Sequence, residues 1–122
     1  MSQSSQVPDE FVAEVQKLQS TLVSKLNTLQ QTQARLFERD RDRKRSDLTL
    51  HELSSIPEST RIFKAMGKSF VLKPSDRIKQ ELQDLSKKCL DETVTLKSLQ
   101  QRLQNETTKI ESELKELIQS RQ

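Results

Sequence analysis

Glycine, cysteine, histidine and the larger aromatic residues are nearly missing from this sequence. Its 122 residues include one Gly, one Cys, one His and four Phe, with no Trp and no Tyr. Hydrophobic residues make up only 31% of the chain, against 32% charged residues. A compact globular enzyme of this length would carry more of both apolar and aromatic residues. Few Gly and only three Pro also argue against disorder, so the composition favours an elongated helical protein with a thin core.

Long apolar runs and catalytic motifs are also missing. The longest apolar runs, Phe11–Ala13 and Phe70–Leu72, have three residues, which predicts neither a membrane span nor a signal-peptide core. Cys89 has no partner for an internal disulfide, which favours a reducing compartment, the cytoplasm. With His51 as the only histidine and no Gly-rich phosphate loop, we expect no catalytic activity, no cofactor and no metal site.

Apolar residues at steps of three and four predict two long helices that pair as a coiled coil. The first is predicted over 9–45, after a start at Pro8, and the second over 75–121, with Ser75 as its N-cap. In the first helix the seam consists of Val15, Leu18, Leu22, Lys25, Leu29, Thr32 and Leu36, with Phe11, Val12, Leu26 and Phe37 beside it. In the second it consists of Ile78, Leu82, Leu85, Cys89, Glu92, Leu96, Leu99, Leu103, Glu106 and Ile110, followed by Leu114, Leu117 and Ile118.

A compact insert, residues 46–74, separates these helices and predicts that they fold back as an antiparallel pair. Residues 46–53 fit a short capped helix before Pro57. In the following segment, Gly67-Lys68 fits a two-residue β-hairpin turn with glycine first. That turn places Ala65 opposite Phe70 and Phe63 opposite Leu72, with all four residues on one face. We interpret residues 1–8 as a disordered tail and residues 9–122 as a single domain.

The net charge of +3 is concentrated in the run Arg39–Arg45, which holds five bases and two acids. The rest of the chain is balanced, so the sequence does not predict general affinity for nucleic acid. A solvated helix end explains the run most simply, because cations suit a helix C-terminus. Docking to an acidic partner surface is the second interpretation, and a basic-zipper contact with DNA the third.

A two-stranded hairpin is marginal in water and leaves two unpaired edges. Pairing with hairpins of other chains, in a sheet or barrel shared between subunits, would satisfy both needs. The alternative is a hairpin that packs on its own coiled coil with its edges in water. We expect the insert to assemble subunits through Ile62, Phe63, Ala65, Met66, Gly67, Phe70, Val71 and Leu72.

The order long helix, short insert with a Phe-x-x-x-Gly-x-x-Phe hairpin, long helix resembles a β-class prefoldin subunit. Residues 61–72 carry the specific part of the resemblance. A β-class subunit has one hairpin between its helices and an α-class subunit has two, and this insert has room for one. The family often has Tyr where Phe63 stands here.

The resemblance implies a hexamer of two α-class and four β-class subunits, whose hairpins form a β-barrel platform for six coiled coils. It implies an ATP-independent co-chaperone that binds unfolded proteins, chiefly actin and tubulin, and passes them to the cytosolic chaperonin. Clients would bind at the coiled-coil tips, where the free helix ends place apolar residues together. The candidate tip residues are Phe11, Val12, Val15, Ile110, Leu114, Leu117 and Ile118.

Several alternatives stay open on the sequence alone. Val15 and Ile110 fit closure of the coil better than client contact, whereas either role fits Phe11, Val12, Leu117 and Ile118. The polar seam residues fit register-setting or a gap in the seam. A coiled-coil scaffold or tether without affinity for unfolded chains is the second hypothesis for function. A nucleic-acid binder is the third, and neither a specific nucleic acid nor a membrane is an expected partner.

Overall fold

The computed structural model describes residues 7–121, so most of the predicted N-terminal tail lies outside the described residues. Two helices and two strands follow one another as α1 (Asp9–Ser54), β1 (Ile62–Met66), β2 (Ser69–Lys73) and α2 (Ser75–Gln119). The strands form one antiparallel hairpin between the helices. The predicted class, mainly helical with a single β-hairpin insert, is confirmed. The extent of a single domain over 9–122 stays a prediction.

Both helices begin directly after a proline. The carbonyl of Pro8 accepts hydrogen bonds from the backbone N–H groups of Phe11 and Val12, at 3.1 and 3.2 Å. The carbonyl of Pro74 accepts equivalent bonds from Arg77 and Ile78. Each proline therefore occupies the capping position, where its missing N–H costs nothing. The prediction that Ser75 is the N-cap is wrong by one residue, because Ser75 is already helical.

The first helix does not end at residue 45 as predicted. It continues without a break to Ser54, so the separate short helix expected over 46–53 is its last part. The heptad seam continues through Arg39 to the buried residues Ser46 and Leu53. The apolar pattern did not indicate this continuation, because Arg39 and Ser46 are polar. Hydrogen bonds from Ser54 Oγ to the His51 carbonyl and from Ser55 Oγ to the Glu52 carbonyl close its end. The second helix ends at Gln119, two residues earlier than predicted.

The chain divides into two compact units, and one of them consists of residues up to 34 and from 97 onward. In this unit the two helices pair antiparallel, as the contacts Phe11 with Arg121 and Lys25 with Glu106 demonstrate. Its most buried residues are Thr32, Leu103, Thr107 and Ile110. Two of the four are threonines, so this seam is partly polar.

The other compact unit is formed by residues 35–96, which include the hairpin. Antiparallel pairing is evident from Arg39 with Glu92, 3.6 Å apart, and from Ser86 Oγ, which donates to Asp47 Oδ1 at 2.7 Å. The core consists of Ser46, Leu53, Cys89 and Leu96, and Cys89 is only 1% exposed.

Some residues predicted on or beside the two seams are instead exposed at the surface: Leu26, Phe37 and Leu85. Within residues 7–121, no helix has an apolar stretch long enough to cross a membrane.

An ion pair replaces apolar packing at one layer of the partly polar seam. Lys25 Nζ donates to Glu106 Oε2 at 2.6 Å, and Arg102 Nε lies 3.8 Å from the other carboxylate oxygen. The hydrogen bond from Lys25 is the main cause that lowers the pKa of Glu106. Among the polar seam residues, this pair fits register-setting better than a gap, because a shifted register would separate the two charges.

The lowered pKa of Glu106 predicts how acid weakens the protein. A folded-state pKa below the unfolded one means that the unfolded chain takes up protons more readily, so stability from this pair is complete near neutral pH. This stability is lost as the pH falls below the ordinary range of a glutamate carboxyl and through the depressed pKa of Glu106. We expect Glu106→Gln to lower Tm at pH 7, and the difference from the wild type to shrink toward pH 3. Glu111→Gln, on an exposed position of α2, is the control. A difference that stays constant with pH would contradict the assignment.

Candidate assembly hairpin and client-binding tip

A two-residue turn at Gly67-Lys68 sets the register of the hairpin. Gly67 has φ of +63°, and no described residue other than glycine has a positive φ. This combination fits the turn type that requires glycine at its first central position only. Ala65 pairs with Phe70 and Phe63 with Leu72, so the predicted register is confirmed.

One face of the hairpin is apolar and open to solvent. Alternate residues of a strand share a face, and the pairing therefore places Phe63, Ala65, Phe70 and Leu72 together. Phe63 and Leu72 are each 55% exposed and Phe70 is 74% exposed. We call these four residues the open face. Contiguous exposed apolar residues, two of them aromatic, are typical of a surface that another protein covers.

The other face points partly toward the helices. It carries Ile62, Lys64, Met66, Val71 and Lys73, of which Ile62 and Lys73 are half-buried. The structure thus brings all eight predicted assembly residues into one hairpin, and only Ile62 among them is not exposed. Their role in assembly stays a prediction.

Both outer edges of the hairpin lack a backbone partner within the described residues. The sheet has two strands, and β1 and β2 pair only with each other. Each strand therefore presents unpaired N–H and C=O groups along its outer edge, which is a template for a further strand. These unpaired edges are the feature from which the sequence predicted pairing with hairpins of other chains.

Glu81 of α2 contacts lysines of both strands. Lys64 Nζ on β1 donates to Glu81 Oε2 at 3.1 Å, and Lys73 Nζ at the end of β2 donates to Oε1 at 2.9 Å. Arg77 Nε lies 4.0 Å from Oε1. The hydrogen bonds from Lys73 and then Lys64 lower the pKa of Glu81. Sequence reasoning missed this cluster, since Lys64 and Glu81 are 17 residues apart and neither belongs to a motif.

At the helix ends of the first unit, the predicted tip residues divide into buried and exposed sets. Ile110 is buried, which fits closure of the coil. The half-buried residues are Phe11, Val15, Leu114 and Leu117, and the exposed ones are Val12 and Ile118. The guanidinium carbon of Arg121 lies 5.2 Å from the centre of the Phe11 ring, within cation–π distance. Client binding by these residues stays a prediction.

A shallow groove of about 540 Å³ lies between the two helices at this tip. Leu18 and Leu117 supply its apolar part. Its polar lining consists of Glu14, Lys17, Thr21, Glu113 and Glu116. The tip therefore offers a groove with apolar and charged walls rather than a closed pocket of defined shape.

Several side chains of the basic run form ion pairs within their own helix. Asp40 contacts Lys44 Nζ at 2.9 Å and an Nη atom of Arg43 at 3.4 Å, and Arg39 contacts Asp42 at 3.2 Å. The Lys44 hydrogen bond is the main cause that lowers the pKa of Asp40. The interpretation as a helix end is wrong, because α1 continues to Ser54. Ion pairs at spacings of three and four residues explain the alternation of bases and acids instead.

The described part of the chain contains no group of three His, Cys, Asp or Glu side chains placed to hold a metal ion. Cys89 is buried in the helical core as a small apolar residue.

Two long helices around a single hairpin define a known class of fold, that of prefoldin β subunits. The crystal structure of the prefoldin beta subunit from Thermococcus strain KS-1 is similar to this chain with a TM-score of 0.74. The match covers 84% of this chain and 90% of that chain at 17% identity, so it demonstrates the fold. The family described as Prefoldin subunit matches residues 10–121, and the chain belongs to this family.

Relatives identify the branch of the family that the chain resembles. Prefoldin subunit 1 of Arabidopsis thaliana is 30% identical over 103 residues, which cover 84% of this chain and 80% of that protein. Prefoldin subunit 1 of Danio rerio is 27% identical and covers 86% of both chains. Probable prefoldin subunit 1 of Dictyostelium discoideum is 31% identical over 83% of this chain and 85% of that protein. The resemblance predicted from residues 61–72 is confirmed, and within it the similarity is to eukaryotic subunit 1.

Proposed function

We propose that this chain is one subunit of an ATP-independent, hetero-hexameric chaperone of the prefoldin type. Two α-class and three further β-class subunits would complete the assembly. The complex binds unfolded proteins of the actin and tubulin kind at its coiled-coil tips and passes them to the cytosolic chaperonin. It acts in the cytoplasm. The observation that carries this proposal is the open face, which has two aromatic residues in solvent on a hairpin with two free edges.

Assembly follows from the energetics of the hairpin. Covering a side chain such as Phe or Leu contributes about 1.5–3 kcal/mol, and three large residues of the open face have more than half of their surface in water. Strands of neighbouring subunits can cover these residues and also pair the free edges. A single chain can do neither, because its own sheet has only two strands.

Client binding follows from the mixed character of the tip. Val12 and Ile118 are exposed apolar residues, and the groove beside Leu117 offers further apolar surface. Such a surface gives weak contact with any exposed hydrophobic segment and selects little by shape. Several weak tips on one platform hold one client because the second contact is intramolecular. No nucleotide is needed for binding and release of this kind.

Native mass spectrometry of the tagged protein, purified gently from its own cytosol, tests the assembly. A species with six small coiled-coil chains supports the proposal. A monomer, or a dimer with one large folded partner, would contradict it and favour a coiled-coil scaffold or tether without affinity for unfolded chains. Suppression of client aggregation by the purified complex separates these two functions further.

The tip residues should matter for clients and not for assembly. We expect the double variant Val12→Ser, Ile118→Ser to assemble normally and to protect unfolded actin from aggregation less well. About tenfold more complex should be needed for equal protection. The free energy of client binding that is lost should be smaller than the free energy gained by fully burying one apolar side chain. Light scattering of diluted, denatured actin measures this effect.

Leu26→Ser, Leu90→Ser is the matched control for this double variant. These leucines are 42% and 46% exposed, close to the 41% of Val12 and 43% of Ile118, and lie outside the tip. Equal loss of protection in both double variants would mean that exposed apolar residues anywhere on the helices bind clients, and the tip would have no special role.

A further inference from the structure

The hairpin is joined to the helices unequally. Between β2 and α2 there is only one residue, Pro74, whereas residues 55–61 separate α1 from β1. A hairpin connected so tightly on one side and so loosely on the other can swing about Pro74. Its φ is fixed by the ring, but its ψ is not. Something else must determine the direction in which the open face points.

Apolar packing supplies only part of that constraint. An open groove of about 360 Å³ remains between the hairpin base and the helices. Its apolar lining includes Leu53, Ile62, Phe63, Ile78 and Leu82. Because this groove is open to solvent, the hairpin base is not packed against the helices as a core element is packed.

Glu81 supplies the missing constraint, and the geometry points to it as the residue that orients the hairpin for assembly. Its two carboxylate oxygens bind different strands, Oε2 with Lys64 on β1 and Oε1 with Lys73 on β2. Contact with one strand alone would leave the hairpin free to rotate about that contact, whereas contact with both strands restricts this rotation. Lys64 and Lys73 lie on the face opposite the open face, so holding them against α2 turns Phe70 away from the helices.

The charge state of the cluster suits this role. The Lys73 and Lys64 hydrogen bonds lower the pKa of Glu81, so the carboxylate is ionised throughout the neutral range. Glu81 also stands within 4.0 Å of Arg77, one helical turn earlier. Glu81 is thus a positioning residue, and this inference rests on the proposed assembly through the hairpin.

Spin labels test the orientation in the free chain, before any assembly. One label is placed at Lys68→Cys in the turn and one at Lys87→Cys on α2, both in a Cys89→Ser background. We expect the distribution of distances between them to broaden in Glu81→Gln and to stay unchanged in Asp84→Asn. Asp84→Asn is the matched control because it removes one negative charge from the same helix. The Asp84 side chain accepts a hydrogen bond from Gln80 and not from the hairpin. An unchanged distribution in Glu81→Gln would overturn the inference.

Reconstitution with the other five subunits tests the consequence. Glu81→Gln should assemble about tenfold less tightly than the wild type, because the open face is intact but is no longer held in one orientation. The quadruple variant Glu81→Lys, Lys64→Glu, Lys73→Glu, Arg77→Gln should restore assembly, because it reverses both ion pairs to the hairpin and removes the Arg77 charge that would oppose the reversal. Failure of that rescue, or equal assembly of Glu81→Gln and wild type, would overturn the inference. If the wild type itself does not assemble, the proposed function fails instead.

Discussion

Replacing Phe70 by Asp should abolish assembly with other prefoldin subunits and leave the free chain folded. Phe70 is 74% exposed in the chain, so the carboxylate replaces a ring that already stands in water. Once a neighbouring hairpin covers this position, the same carboxylate would be buried in apolar surroundings without a partner, and the ring's own burial would be lost. Truncating a buried Phe costs about 3–5 kcal/mol, so we expect affinity to fall by about 10²–10⁴-fold.

Phe37→Asp is the matched control for this experiment. Phe37 is 72% exposed, almost the same as Phe70, but lies on α1 instead of the hairpin. We expect it to co-assemble like the wild type. Size-exclusion chromatography of the mixed subunits measures assembly, and the far-ultraviolet circular dichroism of each free chain checks its helix content. Co-assembly of Phe70→Asp at wild-type concentrations would demonstrate that the open face stays in water, and the proposed assembly through the hairpin would be wrong.

Truncation of Leu103 should be the most damaging single change in the apolar core of the first unit. Leu103 is 5% exposed, and among the described residues of its unit only Leu103 and Ile110 are buried apolar residues. We expect Leu103→Ala to lower the free energy of unfolding by about 2–4 kcal/mol, through lost burial and the cavity left behind. A thin seam with threonines at Thr32 and Thr107 has few other apolar contacts to compensate for the loss.

Leu90→Ala makes the same chemical change on the same helix at a position that is 46% exposed. Its effect should stay within about 0.5 kcal/mol. Urea unfolding followed at 222 nm compares the three proteins, at one fixed chain concentration because assembly would add apparent stability. Equal midpoints for the two variants would mean that the helices are not held together through Leu103.

The fold class was predictable because its determinants are local or periodic. Steps of three and four residues predicted both helices, and a single glycine with its neighbours predicted the turn, the strand pairing and the membership of the open face. In a hairpin, residue order decides which side chains share a face once the turn is known. The family resemblance depended on the same dozen residues and is confirmed by the comparisons.

Helix ends were less predictable. The first helix was predicted to stop at residue 45, where the basic run ends. In the structure, Arg39 pairs with Glu92 and Ser46 is buried, so polar residues occupy seam positions and the helix continues. Binary patterns of apolar and polar residues cannot recognise a polar residue that finds its partner on another helix.

The candidate sites also have features that local sequence rules predict and features that depend on tertiary contacts. The sequence by itself determined which residues form the hairpin and which apolar residues lie at the tip, because turn chemistry and helical period act over short distances along the chain. Only the tertiary structure decided that Leu117 is half-buried while Ile118 is exposed, and that Glu81 joins Lys64 to Lys73. These facts depend on the rotation of each helix and on contacts between residues 8 to 17 positions apart, which no local rule specifies.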